Sequence, residues 1–182
     1  MPFMSYQASR EQALLSAGRL MQEGGAHIVK LEGGAPMVDT IAFMVARGVP
    51  VCAHIGLTPQ SVHQLGGYRV QGRGDAAAAQ LRDDARALQQ AGASALLLEA
   101  VPAALAQAIS QDLTIPTIGI GAGVHCDAQV LVLQDLLGLY TDFSPKFAKN
   151  FLAGVDGIEA AVRAYVAAVR AGEFPGPEHS FA

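Results

Sequence analysis

Three charged side chains lie near the ends of apolar segments, and their chemical types could serve in catalysis or in binding a metal or an anion. Lys30 and Glu32 lie two positions apart in HIVKLEGG, and Glu99 follows three leucines in SALLLEA. If these segments are strands, a spacing of two puts Lys30 and Glu32 on the same face. Charged groups on an inward face are costly unless they bind something. The pattern therefore predicts either a buried Lys30–Glu32 ion pair or a metal-binding carboxylate beside a cation for an anionic substrate.

Glu99 and His54 are the candidates for proton transfer and polar contact with a substrate. The apolar neighbours of Glu99 suit a general base or acid, and a carboxylate bonded to a neighbouring loop or helix is the structural alternative. His54 lies in VCAHIGL on the same face as Cys52. A lone strand histidine is often structural, but its place near the strand's end leaves a role in the site equally open.

Weaker signals come from a glycine-rich motif, a long loop and two lysines. GIGAG at 119–123 resembles a phosphate cradle, but no clear helix follows it, which favours close packing or backbone approach to a ligand. The polar segment 57–75 is typical of a functional loop, a lid or an interface. Lys146 and Lys149 are either anion-binding or ordinary exposed lysines.

Short apolar strands that alternate with helices must position these residues. The predicted strands are 27–32, 49–57, 94–100, 115–120 and 128–138, the last running into a helix. The predicted helices are 9–23, with a capping box of Ser9 and Gln12, and 37–47, 75–90, 102–111 and 158–171. Glycine-containing joints between helix and strand, together with nearly continuous apolar strands, indicate a parallel α/β sheet in one domain spanning 1–182.

Five strands leave two architectures open. One is a doubly wound sheet, and the other is a (β/α)8 TIM barrel without about three of its strands, since a whole barrel needs roughly 250 residues. The opening Pro2-Phe3-Met4 is typical of a loop that follows a strand. Polar residues also end several strands, where barrel enzymes place their chemistry. Both features favour the incomplete barrel.

The overall composition argues against several functional classes. Hydrophobic residues make up 51% and charged residues 15%, which predicts a surface covered by a further segment or by a homo-oligomer partner. The net charge of −4, without a basic block, argues against nucleic acid as a partner. No apolar run reaches the roughly 18 residues of a membrane span. Cys52 and Cys126 form no metal or redox motif, so we expect a cytoplasmic protein.

Longer motifs follow one another along the whole chain. They are VKLEGG at 29–34, VPVCAHIGLTPQ at 49–60, GGYRVQGR at 66–73, LLLEAVP at 96–102, IPTIGIGAG at 115–123, PKFAKNF at 145–151 and PGPEHSF near the end. In this order they resemble the ketopantoate hydroxymethyltransferases (3-methyl-2-oxobutanoate hydroxymethyltransferases) of pantothenate biosynthesis. The resemblance implies a (β/α)8 TIM barrel of the phosphoenolpyruvate/pyruvate superfamily, of which this chain contains about the last five βα units.

The resemblance also implies a reaction and a role for each candidate residue. The reaction transfers a hydroxymethyl group from 5,10-methylenetetrahydrofolate to 3-methyl-2-oxobutanoate, giving 2-dehydropantoate, with Mg²⁺. Glu32 matches a metal ligand, and Glu99 matches the catalytic proton acceptor. Lys30 matches a residue that binds the 2-oxoacid, and His54 matches a histidine near the substrate.

The chain departs from the family pattern at its start. Family members carry an upstream segment with a Gly-Asp-Ser sequence and an aspartate in Asp-Leu-Pro-Phe, both of which bind metal. Met1-Pro2-Phe3 begins directly after the place of that second aspartate. We therefore expect an N-terminally truncated member with weak or no activity on its own. The alternatives are another Mg²⁺-dependent 2-oxoacid lyase or mutase of the same superfamily, or a non-catalytic fragment.

Overall fold

The centre of the structure, a computed structural model that describes residues 1–140 and 142–182, is a parallel five-stranded sheet. The strands are β1 Val29–Glu32, β2 Val51–Gly56, β3 Ala95–Glu99, β4 Thr117–Ile120 and β5 Ala128–Gln129. They lie in sequence order, each paired in parallel with the next. A doubly wound sheet reverses its strand order at a switch point. The described strands show no reversal, so their order is consistent with a segment of a β/α barrel.

Helices alternate with the strands, and the first four of them pack against one face of the sheet. They are α1 Arg10–Gln22, α2 Val38–Val45, α3 Asp75–Gln90, α4 Ala103–Asp112, α5 Leu133–Leu136 and α6 Ile158–Arg170, with short 3-10 turns at Ala35–Met37, Pro59–Ser61 and Pro177–His179. The prediction for α3 is confirmed at both ends. The strands are shorter than predicted, because apolar residues continue past the last ladder pair into the joints.

The N-terminus of α1 confirms one half of the predicted capping box. The Ser9 hydroxyl accepts a hydrogen bond from the backbone N–H of Gln12 at 3.1 Å. The prediction of the reciprocal hydrogen bond, from the Ser9 N–H to the Gln12 side chain, is wrong. The Gln12 side chain instead accepts a hydrogen bond from the Ala8 N–H at 3.2 Å and donates one to the Met4 carbonyl. This side chain is therefore bonded to the segment that precedes the helix.

The two faces of the sheet differ in what they contact. Val29, Leu31 and Leu98 belong to a large apolar core between the sheet and helices α1–α4. The alternate residues, such as Cys52 and Leu97, form a smaller cluster on the opposite face. Because side chains alternate along a strand, the charged residues at the strand ends lie on this second face. Among the described helices, none is long and apolar enough to cross a membrane.

Candidate active site

The carboxyl ends of three neighbouring strands bring the four predicted residues together. Lys30 and Glu32 come from β1, His54 from β2 and Glu99 from β3. In the register, Glu32 lies opposite His54. The prediction that Lys30 and Glu32 share a face is confirmed, because Val29 and Leu31 are buried against the helices.

His54 links the lysine to the second glutamate. Its Nδ1 lies 3.1 Å from Lys30 Nζ, and its Nε2 lies 3.2 Å from Glu99 Oε2. An ammonium group can only donate, so Nδ1 accepts and the network assigns the ring proton to Nε2, on the side of Glu99. The imidazole is buried, and its Nε2 has no well-aligned hydrogen-bond partner in the described chain. The N–H group at His54 Nε2 therefore lies beside Glu99 and can still donate a hydrogen bond to an acceptor on a bound ligand.

Glu32 is held by a network that sequence reasoning missed. Its side chain is 7% exposed, and Oε2 accepts a hydrogen bond from the backbone N–H of Gln60 at 2.9 Å. The Tyr6 hydroxyl donates to Gln60 Oε1 at 2.6 Å and accepts from the backbone N–H of Glu32 at 3.1 Å. Gln60 closes the motif VPVCAHIGLTPQ, which was its only signal, whereas no pattern singles out Tyr6. The network fixes the Glu32 carboxylate relative to the strand.

The backbone around Glu99 is tightly constrained. Gly56 has φ +89°, and a Cβ there would lie 2.3 Å from the Glu99 carbonyl oxygen. That oxygen accepts a hydrogen bond from the N–H of Leu57 at 2.8 Å. The next residue, Ala100, has φ +47°, a left-handed conformation that costs energy in a residue with a Cβ and that occurs at functional sites. These constraints determine where the Glu99 side chain leaves the strand.

A cavity of about 720 Å³ opens beside Glu99. The long segment 57–75 supplies part of its wall through Tyr68 and Val70, so this segment faces the candidate site. Asp135, on α5, also lines the cavity and was not singled out by the sequence pattern. Lys146 lies at this cavity and donates to the carbonyl of Ser180.

The glycine-rich motif at 119–123 packs closely against other parts of the chain. A Cβ at Gly121 would lie 2.8 Å from the Phe147 ring, and one at Gly123 would lie 2.6 Å from Ala103 Cβ. The reading of this motif as close packing is therefore confirmed. Lys149, the other predicted anion-binding candidate, lies over the Phe151 ring at 5.0 Å from its centroid.

Glu32 is the candidate metal ligand among these residues. Its Oε1 lies 3.7 Å from Lys30 Nζ and 3.9 Å from His54 Nδ1, beyond hydrogen-bond distance, so this oxygen retains lone pairs for a hard cation. Protein sites often hold Mg²⁺ with one or two carboxylates and complete the shell with water and substrate oxygens. Within residues 1–140 and 142–182 no cluster of three or more His, Cys, Asp or Glu is placed to hold a metal. The described residues therefore fit a Mg²⁺ site in which Glu32 supplies one carboxylate ligand.

The fold and the site define a parallel α/β enzyme with acid–base groups at the carboxyl ends of its strands. A sequence profile of the ketopantoate hydroxymethyltransferase family matches residues 1–177, and the chain belongs to this family of transferases.

Similar proteins carry one name. A 3-methyl-2-oxobutanoate hydroxymethyltransferase of Thiobacillus denitrificans is 64% identical over 181 residues, which are 100% of this chain and 68% of that protein. Proteins of the same name from Methylobacillus flagellatus and Azoarcus sp. are each 61% identical over 100% of this chain and over 69% and 67% of their own lengths. The chain thus spans about two thirds of these relatives.

One solved structure is similar in fold. A chain in the crystal structure of the Amycolatopsis orientalis BexX/CysO complex matches with a TM-score of 0.52 and 19% identity. The match covers 95% of this chain and 68% of that chain. At this identity the similarity concerns the fold alone.

Proposed function

We propose that this protein transfers a hydroxymethyl group from 5,10-methylenetetrahydrofolate to 3-methyl-2-oxobutanoate, giving 2-dehydropantoate for pantothenate biosynthesis. Family membership and the shared name of the relatives support this reaction. The observation that carries it for this chain is the series of contacts from Lys30 through His54 to Glu99 at the strand ends. The family match argues against the alternative of a different lyase or mutase.

Glu99 is the proposed base. It accepts the proton from the branched carbon of the 2-oxoacid, and the electrons of that carbon–hydrogen bond form the enolate. The enolate forms a carbon–carbon bond to the methylene carbon of the folate, and one water molecule supplies the hydroxyl oxygen at the same carbon. The bonds from this carbon to N5 and N10 of the folate break. The two nitrogens take up the proton removed from the substrate and one proton of the water, so that tetrahydrofolate leaves. The Nε2 of His54 lies 3.2 Å from Glu99 Oε2 without a well-aligned hydrogen bond, so its N–H can interact with an oxygen of a substrate bound beside the base.

Lys30 is the proposed cation for the 2-oxoacid. Its side chain is partly exposed, and its ammonium group lies beside both Glu32 and His54, where it can bind the substrate anion and stabilise the developing enolate. Glu32 is the residue that would hold Mg²⁺. When bound, this ion would polarise the keto group and lower the cost of forming the enolate.

The architecture proposed for this reaction is a segment of a (β/α)8 TIM barrel of the phosphoenolpyruvate/pyruvate superfamily, with residues 1–182 in a single domain. The sequential parallel strand order and the grouping of candidate residues on one face support it. In the described sheet, β1 and β5 are edges whose backbone groups can pair further. We also propose a cytoplasmic homo-oligomer that acts on small molecules.

The test of Glu99 follows hydrogen exchange at the branched carbon of 3-methyl-2-oxobutanoate in D₂O, by proton NMR, with Mg²⁺ and without folate. The chain should exchange this proton above the buffer rate, and Glu99→Gln should slow the exchange by about 100-fold or more, because the amide cannot accept the proton. Glu173→Gln, an exposed glutamate on the loop after α6, is the matched control. Undiminished exchange in Glu99→Gln eliminates Glu99 as the base. Buffer-rate exchange in the unmodified chain would support a non-catalytic fragment.

Complete turnover by this chain should be weak, because the described residues supply one side of a Mg²⁺ site and the sheet has open edges. The measurement is 2-dehydropantoate formation at saturating Mg²⁺, with the Thiobacillus denitrificans relative as reference. A rate equal to that of the relative would contradict this expectation.

A further inference from the structure

The cavity beside Glu99 is larger than the 2-oxoacid requires. Its volume of about 720 Å³ lies within the range of roughly 300–1,000 Å³ that is typical of sites for drug-sized ligands. A small branched acid bound between Lys30 and Glu99 would fill only a minor part of it. The remaining space must therefore serve a second, larger molecule or remain filled with water.

Aromatic rings at the wall of this cavity are exposed to solvent. Tyr68, from the 57–75 segment, is 75% exposed, and Tyr140 and Phe143, which follow α5, are 60% and 64% exposed. Aromatic side chains have large apolar faces whose burial is favourable, and they stack on flat, conjugated ligands. Rings from two separate segments thus offer uncovered flat surfaces to one cavity.

Asp135 contributes a carboxylate to the same cavity. Its side chain makes no hydrogen bond or ion pair with any residue that the structure describes, while its backbone belongs to α5. Burial raises the pKa of this carboxyl group above its ordinary value. A partly desolvated carboxylate is costly unless donors reach it. The arrangement calls for a ligand with hydrogen-bond donors on the edge of a flat ring.

We propose that this cavity binds the pterin ring of the folate donor and that Asp135 accepts hydrogen bonds from its 2-amino group and N3–H. This inference rests on the proposed function, which supplies the folate. A pterin presents those two donors side by side on one edge, and a carboxylate can accept both at once. The rings of Tyr68, Tyr140 and Phe143 provide stacking surface for its faces. Glu99 lines the same cavity, so a donor bound here holds its methylene carbon near the carbon that loses the proton.

The experiment measures binding of 5-formyltetrahydrofolate, a stable compound with an intact pterin, to the 182-residue chain by isothermal titration calorimetry. The unmodified chain should bind it, and Asp135→Asn should weaken binding by at least about tenfold, because the amide has no charge and replaces one of the two acceptor oxygens with an NH2 donor. Asp156→Asn changes an exposed aspartate outside the cavity and should leave the affinity unchanged. Circular dichroism checks that each variant is folded.

A second ligand ties the effect to the pterin edge. A folate analogue with a methyl group in place of the 2-amino group should bind the unmodified chain more weakly, and it should lose little further affinity in Asp135→Asn. No binding of 5-formyltetrahydrofolate by the unmodified chain overturns the proposal, as does an Asp135→Asn variant that binds as tightly as the unmodified chain.

Folate-free proton exchange on 3-methyl-2-oxobutanoate separates this inference from the proposed function. If exchange requires Glu99 and Asp135→Asn leaves folate affinity intact, the pterin assignment fails and the proposed function stands. If exchange is absent although folate binds in an Asp135-dependent way, the proposed acid–base function fails and the pterin site stands.

Discussion

Replacing Gly56 with alanine tests whether the backbone beside Glu99 is as constrained as the structure indicates. The new Cβ would lie 2.3 Å from the Glu99 carbonyl oxygen and 2.7 Å from Val101 Cγ2. Neither neighbour is the mobile end of a long side chain, so β2 and β3 must move apart. Gly48→Ala is the matched control, because Gly48 has a similar φ of +81° and its added Cβ would have no atom within 4 Å.

Both Gly48→Ala and Gly56→Ala place alanine in the left-handed backbone region, but only Gly56→Ala also creates a steric clash. Alanine in the left-handed region costs about 1–2 kcal/mol, offset by about 0.4–1 kcal/mol from the stiffer unfolded chain. Gly48→Ala should therefore lower the free energy of unfolding by no more than about 1.6 kcal/mol. Gly56→Ala adds overpacking of about 1–3 kcal/mol. It also strains or breaks the bond from the Leu57 N–H to the Glu99 carbonyl. The difference between the variants should be at least about 2 kcal/mol.

Urea-induced unfolding followed by circular dichroism measures this difference, provided that the slopes of the two transitions agree. Gly56→Ala should also slow proton exchange on the 2-oxoacid, because Glu99 shifts, whereas Gly48→Ala should not. Equal losses of unfolding free energy in the two variants would show that the strands accommodate the methyl group. The tight packing at Glu99 would then be refuted.

Two further predictions concern stability. Tyr6→Phe should cost about 1–2 kcal/mol of unfolding free energy, because the hydroxyl bonds to Gln60 and a backbone N–H are lost. Tyr165→Phe should leave the free energy of unfolding almost unchanged, because that buried hydroxyl has no hydrogen-bond partner in the described chain. Urea-induced unfolding compares the two variants. A larger loss of unfolding free energy in Tyr165→Phe than in Tyr6→Phe would contradict the stabilising role of the Tyr6 hydrogen bonds. Burial lowers the pKa of His179 below its ordinary value of 6.5, and its Nδ1 accepts a hydrogen bond from the Gly176 N–H. The neutral ring therefore stabilises the fold fully above pH 6.5, and this stabilisation is lost as the pH falls. Between pH 7 and 5 the free energy of unfolding should fall less steeply in His179→Asn than in the unmodified chain, and an equally steep fall would exclude this histidine as the cause.

Local sequence patterns were sufficient to predict the elements and the direction of the key side chains. The alternation in HIVKLEGG placed Lys30 and Glu32 on one face, and the structure confirms it because strand geometry alternates regardless of what surrounds the strand. The run of α3, from Asp75 to Gln90, was predicted in full, because its amphipathic pattern is continuous between two glycines. The choice between a barrel segment and a doubly wound sheet needed the strand order, which no single element encodes.

The contacts within the site were beyond the reach of sequence reasoning. His54 had an open role in the sequence, and only the register of β1, β2 and β3 places its two ring nitrogens beside Lys30 and Glu99. Tyr6 and Asp135 carried no signal, because their roles depend on where the N-terminal segment and α5 pack, far along the chain from Glu32 and Glu99.

The family, the parallel α/β class and the chemical types at the strand ends could all be predicted from the amino-acid sequence, because they follow from motifs and from periodicities of a few residues. Which side chains are in contact could be learned only from the folded chain. It placed the two ring nitrogens of His54 beside Lys30 and Glu99, formed the hydrogen bond from the Gln60 N–H to Glu32, and lined the cavity beside Glu99 with aromatic side chains. Distances between side chains from different strands depend on register and packing, which are properties of the whole folded chain.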